Sequence, residues 1–463
     1  MRRLIAVFAL FACATATAEE RVPLHDRYVD EVATIRAAAA ENTVAYARLQ
    51  TLCDDIGHRI SGSDELERAI DWAEGLMRED GLVVTTEPVQ VPKWVRGEES
   101  ARVVVPYEKE LEILGLGMTV AGEVKAEVVA VSSWEELEAL DASAIEGRIV
   151  LFDVPFTTYG QTVQFRGKGP VEAAKRGAVA VLIRSVTPIS LQTPHTGATR
   201  YDEGEEVPPI PAAALTIEDA AWIHRLLDTG STVEVELKLS GEHHGMVPSR
   251  NLLGEIPGRE LPDEVVVVGC HIDSWDVGQG AQDDGAGCLI AWEAVRLLHE
   301  LDMTPRRTVR AVLFTNEENG LGGGRAYAEV HADEVHQALF ESDTGNGLAD
   351  GFRLDTSGLS TANALRVQGL SAELHQLLGG DQTLGYAGAD IGPRIRAGSP
   401  GFGLAHDTAT YWPIHHTHAD TFEKIVLEDL QANIGMMAAA VWVVAEMEEP
   451  LALPEKKKKR RKK

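Results

Sequence analysis

The chain has 463 residues, of which 44% are hydrophobic and 25% charged, and its formal net charge at pH 7 is −29. This length predicts two domains rather than one core, and the hydrophobic content predicts a well-buried globular protein. The excess of acidic residues argues against nucleic acid or an anionic membrane as a partner, and no stretch after the N-terminus is apolar and long enough for membrane insertion.

The first 18 residues have the pattern of a secretory signal peptide. Two arginines at positions 2 and 3 precede an apolar run from Leu4 to Ala12, and small residues before Glu19 supply a cleavage site. We therefore expect a secreted or periplasmic protein. Cys13 offers a lipidation site, but Phe11 is bulky for a lipoprotein signal, so lipoprotein anchoring is the less favoured alternative.

The next segment predicts helices, and the character of the chain changes near residue 121. Asp26 to Leu49 and Glu65 to Met77 have helical apolar spacing, and a turn from Gly57 to Ser63 joins them. From about 121 to 245, short β-like runs alternate with helix-like segments, and none supplies a set of metal ligands. The predicted division is a signal peptide at 1–18, a main domain formed by 19–120 and 246–453, an inserted domain at 121–245, and a basic disordered tail at 454–463.

Three runs in the C-terminal half predict strands, the first of them continuously apolar as in a buried parallel strand, and potential metal ligands follow each run. The runs are Val265 to Gly269 before His271, Thr308 to Phe314 before Glu317 and Glu318, and His336 to Phe340 before Asp343. Ligands bind at the carboxyl ends of strands in an open α/β sheet, so we expect these side chains to meet in one crevice.

Two helices are predicted around the strands. Asp284 to Leu301 predicts a helix after a glycine-rich loop, and Leu427 to Met447 predicts a final amphipathic helix. Methionine and aromatic residues at helical spacing are typical of a core, so we assign this last helix to the core.

Three cysteines remain after signal cleavage: Cys53, Cys270 and Cys288. An odd number leaves at least one thiol unpaired. Cys270 and Cys288 flank the glycine-rich loop and are a candidate pair. The favoured interpretation is that both are buried free cysteines that act as small apolar side chains.

The acidic residues near the strand ends require a counter-charge. Mutual repulsion and burial would raise the pKa values of clustered carboxyl groups steeply, and bound dications would offset this effect. The cluster comprises Asp283, Asp284, Glu317, Glu318 and Asp343. Imidazole and carboxylate groups are the usual ligands of catalytic zinc, and the neighbouring Glu317 and Glu318 point in different directions, so one can bind metal while the other acts as a base.

Three motifs make the chain resemble the zinc exopeptidases of peptidase family M28, in particular the carboxypeptidase Q group. These motifs are His-Ile-Asp-Ser-Trp-Asp-Val-Gly-Gln-Gly-Ala at 271–281, Gly-Ala-Asp-Ile at 388–391, and His-His-Thr-His-Ala-Asp-Thr at 415–421. The resemblance implies an α/β zinc-exopeptidase fold, in which helices flank a mixed, mostly parallel central sheet. It also implies that the insert is a protease-associated domain, which is β-rich α/β, and that the protein forms a homodimer.

The resemblance implies a role for each site residue and two zinc ions per chain. Asp283 would bridge the metals, His271 and Asp343 would complete one site, and Glu318 and His416 would complete the other. Glu317 would be the general base, and the carboxylate of Asp273 would orient His271. The family spacing selects His416 over His415 and His418. The family also places a cis peptide bond after Asp283.

The function implied is an exported dizinc exopeptidase that hydrolyses dipeptides or short peptides with free termini through metal-activated water. The alternatives are an aminopeptidase acting on longer peptides, a non-catalytic receptor-like binding protein, and a single-zinc acyltransferase. Candidate substrate contacts are Tyr411, Asp390 and His415, with Tyr386 and Trp412 as further candidates for the pocket walls.

Overall fold

The computed structural model describes residues 21–201 and 207–453, so the predicted signal peptide and the predicted basic tail lie outside the described residues. The strands of the described residues are β1 Val83–Val95, β2 Glu99–Val105, β3 Lys109–Leu111, β4 Ile113–Gly115, β5 Gly122–Val131, β6 Ile149–Phe152, β7 Ala180–Arg184, β8 Ala212–Leu215, β9 Glu234–Leu239, β10 Glu242–Ile256, β11 Leu261–His271, β12 Arg307–Phe314, β13 Val335–Glu341, β14 Ala349–Asp355, β15 Asp381–Leu384 and β16 Gly401–His406.

The helices surround two sheets. The α-helices are α1 Leu24–Ala40, α2 Val44–Thr51, α3 Asp64–Glu79, α4 Trp134–Ala139, α5 Ala142–Ile145, α6 Tyr159–Ala174, α7 Ile217–Asp228, α8 Ala286–Glu300, α9 Gly322–Val330, α10 Thr361–Leu378, α11 Gly392–Arg396 and α12 Leu427–Glu446. Within the described residues, no helix is both long enough and apolar enough to cross a membrane.

The first sheet has eight strands in the order β1-β10-β12-β11-β13-β16-β14-β15. Its central strands β12, β11, β13 and β16 are parallel, and antiparallel strands flank them. Alternate residues of β11 pack on opposite faces: Val266 and Val268 join the core beneath α8 and α12, whereas Val265 and Val267 join the core beside Tyr327. This mixed sheet flanked by helices confirms the predicted fold class.

The second sheet has eight strands in the order β3-β2-β9-β5-β6-β7-β8-β4, and its strands come from residues 99–239. We refer to residues 99–239 as the second-sheet region. Three of its strands precede residue 121, where the sequence suggested that the insert begins. The division into domains stays a prediction.

The predicted helix from Asp26 to Leu49 is wrong as a single element, because the structure divides it into α1 and α2. Asn42 lies at the break, and its side-chain oxygen accepts hydrogen bonds from the backbone N–H groups of Val44 and Ala45, at 2.8 and 3.3 Å. Asparagine competes with the helical backbone in this way, which ends one helix and starts another. The three predicted strand runs lie inside β11, β12 and β13, so the structure confirms them.

Candidate metal centre

The five side chains predicted as metal ligands meet beyond the carboxyl ends of β11, β12 and β13. His271 Nε2 lies 3.3 Å from Asp283 Oδ1 and 3.3 Å from Asp343 Oδ1. His416 Nε2 lies 3.2 Å from Asp283 Oδ2 and 3.1 Å from Glu318 Oε2. The two carboxylate oxygens of Asp283 therefore face two separate groups, each of which contains one histidine and one further carboxylate.

The chemistry of this set fits zinc. Imidazole nitrogen and carboxylate oxygen are its usual ligands in catalytic sites. Among residues 21–201 and 207–453, the buried Glu318 Oε1 has no hydrogen-bond partner, and the buried Asp283 Oδ2 faces two histidine nitrogens, at 3.2 and 3.6 Å. An unsatisfied buried carboxylate oxygen is costly, and a bound cation would satisfy it.

Burial and neighbouring charges shift the pKa values of the set in opposite directions. Burial raises the pKa of Asp283, but its contacts with His271 and His416 outweigh burial and hold that pKa well below its usual range. Burial lowers the pKa of His416, yet Glu318 and Asp283 raise it to about 9. Burial and the charge of Asp283 raise the pKa of Glu318 to about 7. Protons on the histidines thus supply positive charge that metal ions would otherwise provide.

The loop between β11 and α8 is held by a buried arginine that the sequence interpretation missed. Arg59 is fully buried, and its guanidinium donates hydrogen bonds to four backbone carbonyls at 2.7–2.9 Å. The acceptors are the carbonyls of Gly57, Ile272, Gln279 and Gly280. Arg59 belongs to the turn between the predicted N-terminal helices, and nothing in the local pattern showed which loop it would reach.

Two aspartates fix the backbone around Asp283. Asp420 accepts hydrogen bonds from the N–H groups of Gln282 and Asp283, at 2.7 and 3.1 Å. Asp284 accepts hydrogen bonds from the N–H groups of His271 and Gly287, both at 3.1 Å. The peptide bond between Asp283 and Asp284 is cis, as the resemblance implied.

Asp273 contacts His271 more closely through its backbone oxygen than through the carboxylate expected to orient that ring. His271 Nδ1 lies 2.9 Å from the backbone oxygen of Asp273 and 3.9 Å from its Oδ1. The carboxylate instead accepts hydrogen bonds from the backbone N–H groups of Glu317 and Glu318, at 3.0 and 3.3 Å. Asp273 therefore orients His271 through its carbonyl and positions the two glutamates through its side chain.

Glu317, the predicted base, lies beside the ligand groups. Burial raises the pKa of its carboxyl group well above its usual range, and the negative charges of Asp343 and Glu318 raise it further. Cations bound to those two carboxylates would oppose this repulsion. The position is therefore compatible with a base that becomes ionised when metal is present.

His415 and His416 are stacked, with ring centroids 3.5 Å apart. His415 Nε2 lies 3.6 Å from Asp283 Oδ2, which is farther than the 3.2 Å of His416 Nε2. Only His416 of the two also contacts Glu318 among the described ion pairs. The geometry thus favours His416 as the ligand, while the exposed His418 lies outside the set.

The predicted substrate contacts differ in their surroundings. Tyr411 is buried and packs against His415, with ring centroids 5.1 Å apart. Asp390 is only 2% exposed, and burial followed by the charge of Glu341 raises the pKa of its carboxyl group well above normal. Tyr386 is 65% exposed at the rim. Asp390 therefore belongs to the buried wall behind the site rather than to its open face.

Cys270 and Cys288 lie side by side beneath the site as buried free thiols, with their sulfur atoms 2.7 Å apart. Cys288 Sγ donates a hydrogen bond to the backbone oxygen of His271 at 3.1 Å. Cys53 is also free and buried, and burial raises the pKa of its thiol to about 12. The favoured interpretation of these cysteines as free, buried side chains agrees with the structure.

Comparisons with known proteins point in the same direction. The model of peptidase family M28 matches residues 251–441. Carboxypeptidase Q of Xenopus laevis is 42% identical over 419 residues, which cover 88% of this chain and 87% of the relative. The structure of a peptidase M28 precursor from Shewanella amazonensis has a TM-score of 0.86 and 33% identity, covering 93% of this chain and 100% of that chain.

A zinc aminopeptidase from Bacillus subtilis shares the fold, with a TM-score of 0.65 and 21% identity over 88% of this chain and 96% of that chain. An identity of 42% to carboxypeptidase Q over 88% of this chain is far above what a shared fold alone would give. The chain therefore belongs to peptidase family M28 and is a zinc metallo-exopeptidase related to carboxypeptidase Q.

Proposed function

We propose that the enzyme hydrolyses dipeptides and short peptides with free termini at a centre of two zinc ions per chain. The observation that carries this proposal is the position of Asp283, whose two oxygens face two histidines in separate groups. His271 and Asp343 would complete one zinc site with Asp283. Glu318 and His416 would complete the other.

The bound zinc ions would lower the pKa of water and polarise the scissile carbonyl group. Glu317 accepts the proton that water loses as its oxygen bonds to the carbonyl carbon. The C–N bond then breaks, and Glu317 returns the proton to the departing amine nitrogen. Asp273 keeps Glu317 in place by accepting the hydrogen bond from its backbone N–H at 3.0 Å.

The enclosure of the site supports short substrates. His271, Asp283 and His416 are only 1–7% exposed, and the second-sheet region lies against the loop that carries His416. Long or folded chains would have to displace this cover. The same cover supports an inserted protease-associated domain, although the second sheet also includes β2, β3 and β4, which precede residue 121.

The similarity to carboxypeptidase Q favours a carboxypeptidase, whereas the structural neighbour from Bacillus subtilis is an aminopeptidase. The metal ligands are compatible with either specificity, because the side chains of the pocket walls determine whether the free amino or the free carboxyl terminus of a substrate is bound. A receptor-like protein without catalysis is disfavoured, because the chain has all five ligands together with Glu317.

The purified mature protein can be tested on a panel of unblocked dipeptides beside their N-acetylated and C-amidated forms. We expect cleavage of the unblocked dipeptides only, because both termini would lie inside the enclosed site. Cleavage of the C-amidated forms would contradict the proposed need for a free carboxyl terminus and favour an aminopeptidase. Failure to cleave any of these peptides at full zinc content would reject the proposed substrate class.

A further inference from the structure

The second-sheet region contacts the metal centre directly through Thr196. The backbone N–H of Thr196 donates a hydrogen bond to the backbone oxygen of His416 at 3.0 Å. In return, His416 Nδ1 lies 3.3 Å from the backbone oxygen of Thr196. Thr196 and His416 are 220 positions apart in the chain, so this pair of contacts joins two distant segments.

The contact with Thr196 determines which nitrogen of His416 is available to a metal. A carbonyl oxygen can only accept, so Nδ1 must carry a proton, and Nε2 is the nitrogen that gives up its proton and offers its lone pair when a metal binds. Nε2 is the nitrogen that faces Glu318 and Asp283, at 3.1 and 3.2 Å. The carbonyl of Thr196 therefore selects the tautomer of His416 that can bind metal.

A buried arginine holds this carbonyl. Arg166 is 6% exposed, and its Nη1 donates a hydrogen bond to the backbone oxygen of Thr196 at 3.1 Å. Arg166 Nη1 also lies 3.4 Å from His416 Nδ1, but both atoms carry protons in this tautomer, so the shared acceptor is the carbonyl of Thr196. Arg166 and His416 thus donate to the same oxygen.

The surroundings leave Arg166 little freedom. Its Nη2 donates a hydrogen bond to the hydroxyl of Tyr159 at 2.9 Å, and the ring of Tyr159 stacks on Trp412, with centroids 5.0 Å apart. A Cβ atom on Gly197 would lie 2.1 Å from the guanidinium carbon of Arg166, so only glycine at this position leaves space for the guanidinium. Both ends of the guanidinium are therefore fixed.

We propose that Arg166 is a positioning residue of the metal centre, acting through the carbonyl of Thr196 to hold His416 in the metal-binding tautomer and orientation. The second-sheet region then completes the zinc site rather than only covering it. Partners of this kind raise metal affinity by about 10- to 100-fold. The inference rests on the proposed function in one respect, namely that His416 binds zinc.

The test compares Arg166→Met, which keeps the length of the stem but removes every donor, with Arg166→Lys, which restores one donor. Arg176→Met is the matched control, because Arg176 lies in the same region and pairs with Glu172. Zinc affinity is measured by chelator competition, and the visible absorption of the cobalt-substituted protein reports the ligand geometry. The melting temperature of the metal-free protein shows whether each variant folds.

We expect Arg166→Met to lower the affinity for one of the two zinc ions about 10- to 100-fold and to change the cobalt spectrum. The melting temperature of the metal-free protein should stay near that of wild type. Arg166→Lys should recover part of the affinity. In a chain that already carries His416→Ala, Arg166→Met should not weaken zinc binding further, because Arg166 acts on the metal only through His416.

A folded Arg166→Met protein with wild-type zinc affinity and cobalt spectrum would overturn the inference, as would full additivity with His416→Ala. If Arg166→Met does not fold, Tyr159→Phe removes only the hydroxyl that holds Nη2, and unchanged zinc affinity in that variant would overturn the inference equally. Wild-type protein that binds no zinc would instead reject the proposed function.

Discussion

At the scale of single residues, neighbouring glutamates have different surroundings. Glu318 contacts His416, whereas Glu317 contacts neither histidine within ion-pair distance in the described part of the chain. The carboxylate of Asp273 accepts hydrogen bonds from the backbone N–H groups of both glutamates, so one group fixes the backbone from which both side chains extend. This arrangement separates metal binding from proton transfer.

Replacing Glu317 by Gln should strongly reduce turnover without removing the metals. We expect kcat to fall by about 10²- to 10⁴-fold, the usual contribution of a general base, while zinc content stays at the wild-type level. Steady-state kinetics and metal analysis on one sample check both parts. Glu329→Gln, on the exposed end of α9, is the control. Activity close to wild type in Glu317→Gln would disprove the assignment of the base.

Zinc affinity should rise with pH. Burial lowers the pKa of His416, but Glu318 and Asp283 raise it to about 9, so below that pH zinc must displace a proton from this ring. Below about pH 7, zinc must also displace a proton from Glu318, whose pKa burial and Asp283 raise to about 7. Calorimetry in buffers of different ionisation enthalpy should detect proton release on binding. A zinc affinity that is constant from pH 6 to 9 would contradict these protonation states.

At the scale of elements, the loop from Ile272 to Gly285 has no regular structure until its last turn, yet it carries Asp273 and Asp283. Its path is fixed by Arg59 from the N-terminal segment and by Asp420 from the C-terminal segment. Strand ends supply His271, Glu318 and Asp343, but the bridging aspartate depends on these distant anchors.

Arg59→Met should destabilise the protein and weaken zinc binding together. It removes four buried hydrogen bonds from a charged donor and leaves four carbonyls unsatisfied, so we expect a loss of about 3 kcal/mol or more in the free energy of unfolding. Urea unfolding of the metal-free protein measures this loss. Arg68→Met, on the exposed face of α3, should change stability by less than about 0.5 kcal/mol. Equal stability of the two variants would refute the anchoring role.

The sequence predicts those parts of the site that follow regular elements. Buried strands are readable as apolar runs, so the positions of His271, Glu318 and Asp343 at one sheet edge were predictable before the structure was known. The roles of Arg59 and the break at Asn42 were not, because each depends on which distant backbone the side chain reaches. The contact of the Asp273 backbone oxygen with His271 was not predictable for the same reason.

At the scale of the whole molecule, the candidate centre draws on segments that are far apart in the chain. The ligands lie between residues 271 and 416, Arg59 comes from the N-terminal segment, and Thr196 comes from the second-sheet region. Zinc would bind at the point where these segments meet, and its removal should lower the melting temperature, since ligands that bind only the folded state stabilise it by mass action.

The most direct test of the account is the number of zinc ions bound by the purified chain and by its Asp283→Ala variant, measured by mass spectrometry of the metals after dialysis. We predict two zinc ions per chain in the wild-type protein. The variant should retain fewer than one, because Asp283 serves both ligand groups. One tightly bound zinc in the wild type, or two retained in Asp283→Ala, would contradict a centre bridged by Asp283.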